Sequence, residues 1–194
     1  MRTILGSIPQ LTVLASMIAL GACKKQNEDV LQPSGPAVNE EEVVTTVELT
    51  FTDQETPSQV FQMRVNFDDV GDPEAMVDTL PAQRAFDVVV RLLNESVTPA
   101  VDLTGEVRAE GTEHQLFFEV MNGNLSTSYA DADSNGRPIG LVNTAITGAA
   151  SSGGELRVVL RHQPDKAADG VAAGQVLNAG GETDVDLIFP LTIE

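Results

Sequence analysis

Asp131-Ala132-Asp133-Ser134-Asn135-Gly136 places three oxygen-bearing side chains at alternate positions and follows them with glycine. This is the first half of a D-x-D-x-N-G loop, in which Asp131, Asp133 and Asn135 would turn their oxygens onto one Ca²⁺ while Gly136 permits the sharp turn. The twelfth position of such a loop calls for a bidentate Glu; this chain has Val142 there, and no helical pattern flanks the segment. The same residues also read as a plain turn, with Asn135-Gly136 at its tip and two turn-favouring acids beside it. His114 and His162 are the only histidines, with Glu110, Glu113 and Asp165 close to them in sequence. They form a divalent site only if folding brings them together, because their spacing fits no standard zinc pattern; otherwise they are polar positions at strand ends. Arg157, Arg161, His162 and Lys166 gather positive charge around one stretch, suited to acids on neighbouring strands or to an anionic partner.

The usual signatures of catalysis are missing. The chain carries no G-x-S-x-G, no H-E-x-x-H, no glycine-rich phosphate loop and no spare cysteine nucleophile. Carboxylates are plentiful enough for a glycosidase-like pair, but sugar-cleaving sites bind on aromatic platforms, and here there is no tryptophan and one tyrosine, Tyr129. The expectation is a protein that is not an enzyme and needs no cofactor beyond the candidate Ca²⁺.

The one cysteine, Cys23, ends the run Leu20-Gly21-Ala22-Cys23. Arg2 is the only charge before it, and Leu11 to Leu20 is an apolar segment of signal-peptide length, too short to span a bilayer. The run resembles a prolipoprotein lipobox, which implies cleavage after Ala22, a diacylglyceryl thioether on Cys23 and a third, palmitate-type acyl chain on the new amino terminus. At about 0.8 kcal/mol per buried CH₂, two or three such chains anchor a protein durably. Lys24 rather than aspartate after the cysteine points, by resemblance to enteric sorting rules, to the outer membrane. Glu28-Asp29 loosely resembles the export tags of Bacteroidota surface lipoproteins, so the periplasmic and surface faces both stay open.

Charge narrows the partners. The chain has a formal net charge of −18, which repels nucleic acid and anionic lipid, and no basic stripe with interleaved aromatics offsets it. The expected organisation is a signal peptide over 1–22, a lipidated acidic tether over 23–42 and a globular domain over 43–194. The tether holds Pro33-Ser34-Gly35-Pro36 and Glu40, Glu41 and Glu42, with little that packs. Its length places the domain on the order of 25 Å from the lipid.

From Val43 onward the pattern has period two. Val47, Leu49 and Phe51 alternate with polar residues, as do Phe61, Met63, Val65 and Phe67, which predicts half-buried strands joined by a turn over Asp53 to Pro57. Further strands are expected at Phe86 to Leu93, Leu116 to Met121, Leu125 to Ala130, Ile139 to Ile146, Leu156 to His162 and Val185 to Ile193. Asn122-Gly123 predicts a type I′ hairpin between two of them. Asp102 to Glu113 offers a short helix weakened by Gly105 and Gly111. Gly148 to Gly154 and Gly170 to Gly181 read as loops, and Pro190 predicts an edge or bulge in the last strand. About eight short strands with almost no helix give an all-β antiparallel sandwich, immunoglobulin-like or a related Greek key, with a closed barrel as the alternative.

At Asp131 to Leu141, at Leu160-Arg161-His162-Gln163-Pro164-Asp165-Lys166 and at Gly181 to Ile193, the chain resembles a family of small Bacteroidota-type envelope lipoproteins often labelled "type 1 periplasmic binding fold". The resemblance covers nearly the whole domain and implies an envelope lipoprotein. It brings no catalytic or ligand residues with it. Its label implies two α/β lobes, whereas the periodicity here predicts strands alone. The combined expectation is a lipid-anchored binding or structural module that meets an envelope protein or glycan through loops at one end of the sandwich. The rival readings are a calcium-stabilised adhesion or carbohydrate-binding module and a substrate-binding component of a transporter.

Overall fold

The computed structural model describes residues 42–67 and 74–194. The expected signal segment, Cys23 and the tether up to Glu41 lie outside the described residues. What is described is an antiparallel β-sandwich. The larger sheet takes β1 (Thr46–Asp53), β2 (Val60–Asn66), β3 (Glu74–Val77), β4 (Ala85–Asn94), β5 (Val101–Asp102), β7 (Leu125–Tyr129) and β8 (Val142–Thr147), in the order β3-β2-β1-β4-β8-β7 with β5 against β4. The smaller sheet has the order β10-β9-β6 and is built from β6 (His114–Met121), β9 (Ser151–His162) and β10 (Glu182–Ile193).

Alternation explains the layers. Val47, Leu49 and Phe51 of β1 and Phe86, Val88, Val90 and Leu92 of β4 face inward, and so do Val185, Leu187, Phe189, Leu191 and Ile193 of β10. Each such side chain contributes about 1.5–3 kcal/mol when fully buried, and Phe51 and Phe86 meet edge to face with centroids 6.0 Å apart. Leu116-Phe117-Phe118 and Val158-Val159-Leu160 break the alternation because β6 and β9 are covered on both faces. Leu116, Val158 and Leu160 join the core between the sheets. Phe117 and Val159 pack on the other side against Val171, Val176 and Ala179, which come from two 3₁₀ turns, Val171–Ala173 and Val176–Asn178.

Several expectations change. Asn122-Gly123 does not close a hairpin, since β6 pairs with β9 and β7 with β8. The dipeptide is a crossing from one sheet to the other. Asn122 has φ 52° as a turn requires, but glycine stands at 123 for close approach: a Cβ there would lie 2.6 Å from Leu191 Cδ2. Two strands escape the periodicity, β3 because its four residues are largely exposed and β5 because it has only two. The Gly148 to Gly154 segment is only partly loop, as β9 begins at Ser151, and the expected Ile139 to Ile146 strand begins at Val142. The short helix is α1, Thr104–Ala109, with Val107 buried. Pro190 is exposed on β10, an edge strand of its sheet as expected.

At the far end of β1 the Asp53 carboxylate is fully buried. Its Oδ1 accepts the N–H groups of Glu55 at 2.9 Å and Thr56 at 2.8 Å, and Arg84 donates to both oxygens at 2.5 and 2.7 Å. The Arg84 guanidinium, helped by the two backbone donors and opposed by burial, lowers the Asp53 pKa to about 2. A carboxyl depressed on folding stabilises the fold above its ordinary value of 3.8 and loses that contribution as pH falls toward 2. The variant Asp53→Asn is therefore expected to melt below the parent at neutral pH, with the gap closing between pH 4 and about 2; a gap independent of pH contradicts this account.

Candidate functional site

Beside β7 the loops between β7 and β8 and between β9 and β10 enclose an open cleft of about 480 Å³. Its walls are Phe118, Thr127, Tyr129, Asp131, Pro138 and Asn143, and Ala172 to Gly174 of the first 3₁₀ turn close the other side. The floor is set by hydrogen bonds. The Tyr129 hydroxyl donates to the Leu116 carbonyl at 2.8 Å. Gln115 Nε2 donates to the Tyr129 hydroxyl at 3.2 Å and to the Val171 carbonyl at 2.8 Å. One buried amide thus ties the tyrosine to the 3₁₀ turn facing it. Phe118 meets the tyrosine ring at a centroid distance of 6.4 Å. Burial pushes the Tyr129 phenol up to about 12, with the Asp131 charge adding to it and the Gln115 amide working against it.

Asp131, Asp133 and Asn135 lie together in the β7–β8 loop. Asp131 accepts backbone N–H groups from Gly140 at 2.7 Å, Leu141 at 2.8 Å and Val142 at 2.9 Å. Asp133 Oδ1 accepts those of Asn135 at 2.8 Å and Arg137 at 3.0 Å. Gly136, at φ 75°, returns the chain with its N–H on the Asp133 carbonyl. These are the contacts of the plain-turn reading.

The cation beside Asp133 is an ammonium group. Lys166 Nζ, buried like its partner, donates to Asp133 Oδ2 at 3.0 Å, to the Gly111 carbonyl at 2.5 Å and to the Pro138 carbonyl at 2.8 Å. All three ammonium hydrogens have acceptors. Burial by itself would raise the Asp133 pKa, but the N–H groups of Arg137 and Asn135 and the lysine outweigh it, and the net direction is down. Burial also dominates at Lys166 and lowers its pKa against the pull of Asp133. Nothing in the local sequence links Lys166 to Asp133, 33 residues apart; β9 and the loop after it bring them together.

Of the basic group, Arg157 bridges Glu119 at 2.5 Å and Asp186 at 2.7 Å across three strands, and Arg161 reaches the Thr183 hydroxyl at 2.5 Å. The expected pairing with acids holds for Arg157 and Lys166. The two histidines, 48 positions apart in sequence, are brought together. His114 and His162 face each other directly across β6 and β9, with stacked rings 4.7 Å apart and 19° from parallel. Glu42, the last residue of the expected tether, joins them with its side chain only 5% exposed, as does Asp184 of β10. That packing is a finding the tether reading missed. The signal was the sign of residue 42 against a histidine far along the chain, which no periodicity reveals.

Comparison with protein-family models, with curated proteins and with solved structures found no match to this chain.

Replacing Lys166 by methionine strands the Asp133 carboxylate in a buried site, so Lys166→Met is expected to destabilise by about 3 kcal/mol or more. The measurement is the urea midpoint at unchanged m-value; a change below about 0.5 kcal/mol contradicts the contact. Tyr129 is the only tyrosine in a chain without tryptophan, so its phenolate band reports on one group. The folded protein is expected to titrate near 12 and the urea-unfolded chain near the ordinary 10.0; a folded midpoint near 10 would show the hydroxyl open to water.

Proposed function

We propose that this chain is a lipid-anchored, non-enzymatic binding module of the bacterial envelope, fastened by acyl chains on Cys23 and holding a small polar ligand in the cleft beside Tyr129. The observation that carries the ligand part is the cleft itself. At about 480 Å³ it falls in the size range of small-molecule sites. It is framed by two loops on a rigid sheet, the usual placement for recognition. Its walls offer hydroxyl, amide and aromatic groups, with no arginine or lysine among them. With the chain's strong negative charge, this favours a neutral or cationic ligand over an anion.

The anchoring part rests on Leu20-Gly21-Ala22-Cys23 and on the resemblance to envelope lipoproteins. Among the described residues no helix is long and apolar enough to cross a membrane. The non-enzymatic part rests on the chemistry around the cleft. Asp131, the one carboxylate in its wall, is engaged by three backbone N–H groups, and neither histidine lines it.

Two measurements test the reading. Mass spectrometry of the native protein is expected to find an acylated amino-terminal Cys23, and an unmodified thiol would remove the anchor. Tyrosine fluorescence of the full-length chain in detergent, scanned against neutral and amino sugars, is expected to show saturable binding of at least one of them. The cleft variant Ala173→Arg is expected to weaken that binding tenfold or more without lowering Tm by more than a degree or two. Turnover of a bound compound, or binding unaffected by Ala173→Arg, contradicts the proposal.

A further inference from the structure

We infer that Glu42, His114, His162 and Asp184 form a structural site for one first-row divalent metal ion, with Zn²⁺ the best match, which ties the root of the N-terminal segment to the smaller sheet. One ligand atom from each of the four lies within 4.8 Å of all the others. A four-coordinate zinc ion with bonds of about 2.0–2.1 Å has donors roughly 3.3 Å apart. The distances from His114 Nε2 bracket that value, at 3.0 Å to Glu42 Oε2 and 4.0 Å to Asp184 Oδ2.

The chemistry around His114 supports a metal on that nitrogen. Its Nδ1 lies 3.2 Å from the Glu110 carbonyl oxygen, which only accepts, so Nδ1 carries the hydrogen. Nε2, on the other side of the ring, faces the carboxylates of Glu42 and Asp184. A metal ion placed there would meet the imidazole nitrogen and both carboxylates together. An N–H to a backbone carbonyl from the far side of the ring is the usual support of a metal-bound histidine.

Four separate segments supply the ligands. His114 and His162 share a register position on β6 and β9. Asp184 occupies the β-bulge of β10, where the pairing passes from Thr183 opposite Arg161 to Val185 opposite Leu160; such an extra residue re-aims a side chain, and here the carboxylate is 1% exposed. Glu42 comes from the segment that leads into β1 of the larger sheet. Gly181 lets the start of β10 lie close against the end of β9, because a Cβ at that position would lie 2.2 Å from the His162 carbonyl oxygen.

Donor type selects the metal. Two imidazoles disfavour Ca²⁺ and Mg²⁺, which take oxygen ligands, and suit zinc and its first-row neighbours. Four protein ligands leave no position for substrate, the arrangement of a structural rather than a catalytic ion. The site is separate from the cleft, so its failure would leave the ligand reading standing, and the reverse holds too.

The test uses the full-length chain in detergent, stripped with a chelator and then given Zn²⁺ or Co²⁺ alone. The expected result is one tightly bound ion per chain and a Tm higher by roughly 5–10 °C when free Zn²⁺ is about 100 times its dissociation constant. The Co²⁺ form is expected to show the visible bands of four-coordinate cobalt. X-ray absorption of the zinc form should find two imidazole ligands. The near-isosteric variants His114→Gln and Asp184→Asn, checked by circular dichroism, are expected to weaken binding at least 100-fold, while the surface control Asp186→Asn leaves it unchanged. Absence of stoichiometric binding, or bound zinc without imidazole in its absorption spectrum, overturns the inference even if a variant fails to fold.

Discussion

The features of the site end depend on one constraint: β6 and β9 are buried on both faces along residues 114–117 and 158–160. On the inner face Leu116, Val158 and Leu160 pack into the core between the sheets. On the outer face Phe117 and Val159 need a cover, and the long β9–β10 connection supplies it with Val171, Val176 and Ala179. Because apolar burial is what holds that connection down, the segment cannot leave without exposing a phenylalanine and four smaller apolar residues to water. A glycine- and alanine-rich stretch that resembles a loose loop in composition is thereby made part of the folded body.

Polar contacts then fix the geometry that burial alone leaves slack. Hydrophobic packing is non-directional, whereas a buried donor or acceptor must find its partner or incur a full desolvation cost. Gln115 joins Tyr129 to Val171. Lys166 joins the β9–β10 connection to Asp133 and to the carbonyls of Gly111 and Pro138. Asp131 gathers three N–H groups where the β7–β8 loop enters β8. The two loops that frame the cleft are therefore cross-linked to the sheets through side chains, in a chain whose single cysteine rules out an internal disulfide. Asp53 and Arg84 do the same at the opposite end of β1.

Period-two alternation made the long strands legible, since Val47-Leu49-Phe51 and Phe86-Val88-Val90-Leu92 each expose one face. It could not show which strand joins which sheet. Asn122-Gly123 has the composition of a hairpin, but its neighbours belong to different sheets, and the long-range pairing of β6 with β9 decides this. Asp131 and Asp133 were legible as a loop rich in oxygen ligands. Their partners were not, because Lys166 and the N–H groups of Gly140 to Val142 arrive only when the chain folds. The histidine pair shows the same limit most clearly: 48 residues separate His114 from His162, and Glu42 lies 72 residues before the first of them. Strand register pairs the histidines, and only folding brings Glu42 to them.

Whether the β9–β10 connection belongs to the same cooperative unit as the sheets is the question on which the account turns, and native-state hydrogen exchange answers it residue by residue. The amides of Gln163, Asp165 and Ala179, which donate within this region to Glu113, Ala179 and Val176, are expected to exchange in the slow class of β9, together with those of Gly140 to Val142. Rapid exchange across 163–181 while β9 stays protected would mean that the cover opens independently of the sheets, and the rigid frame claimed here for the site would be wrong.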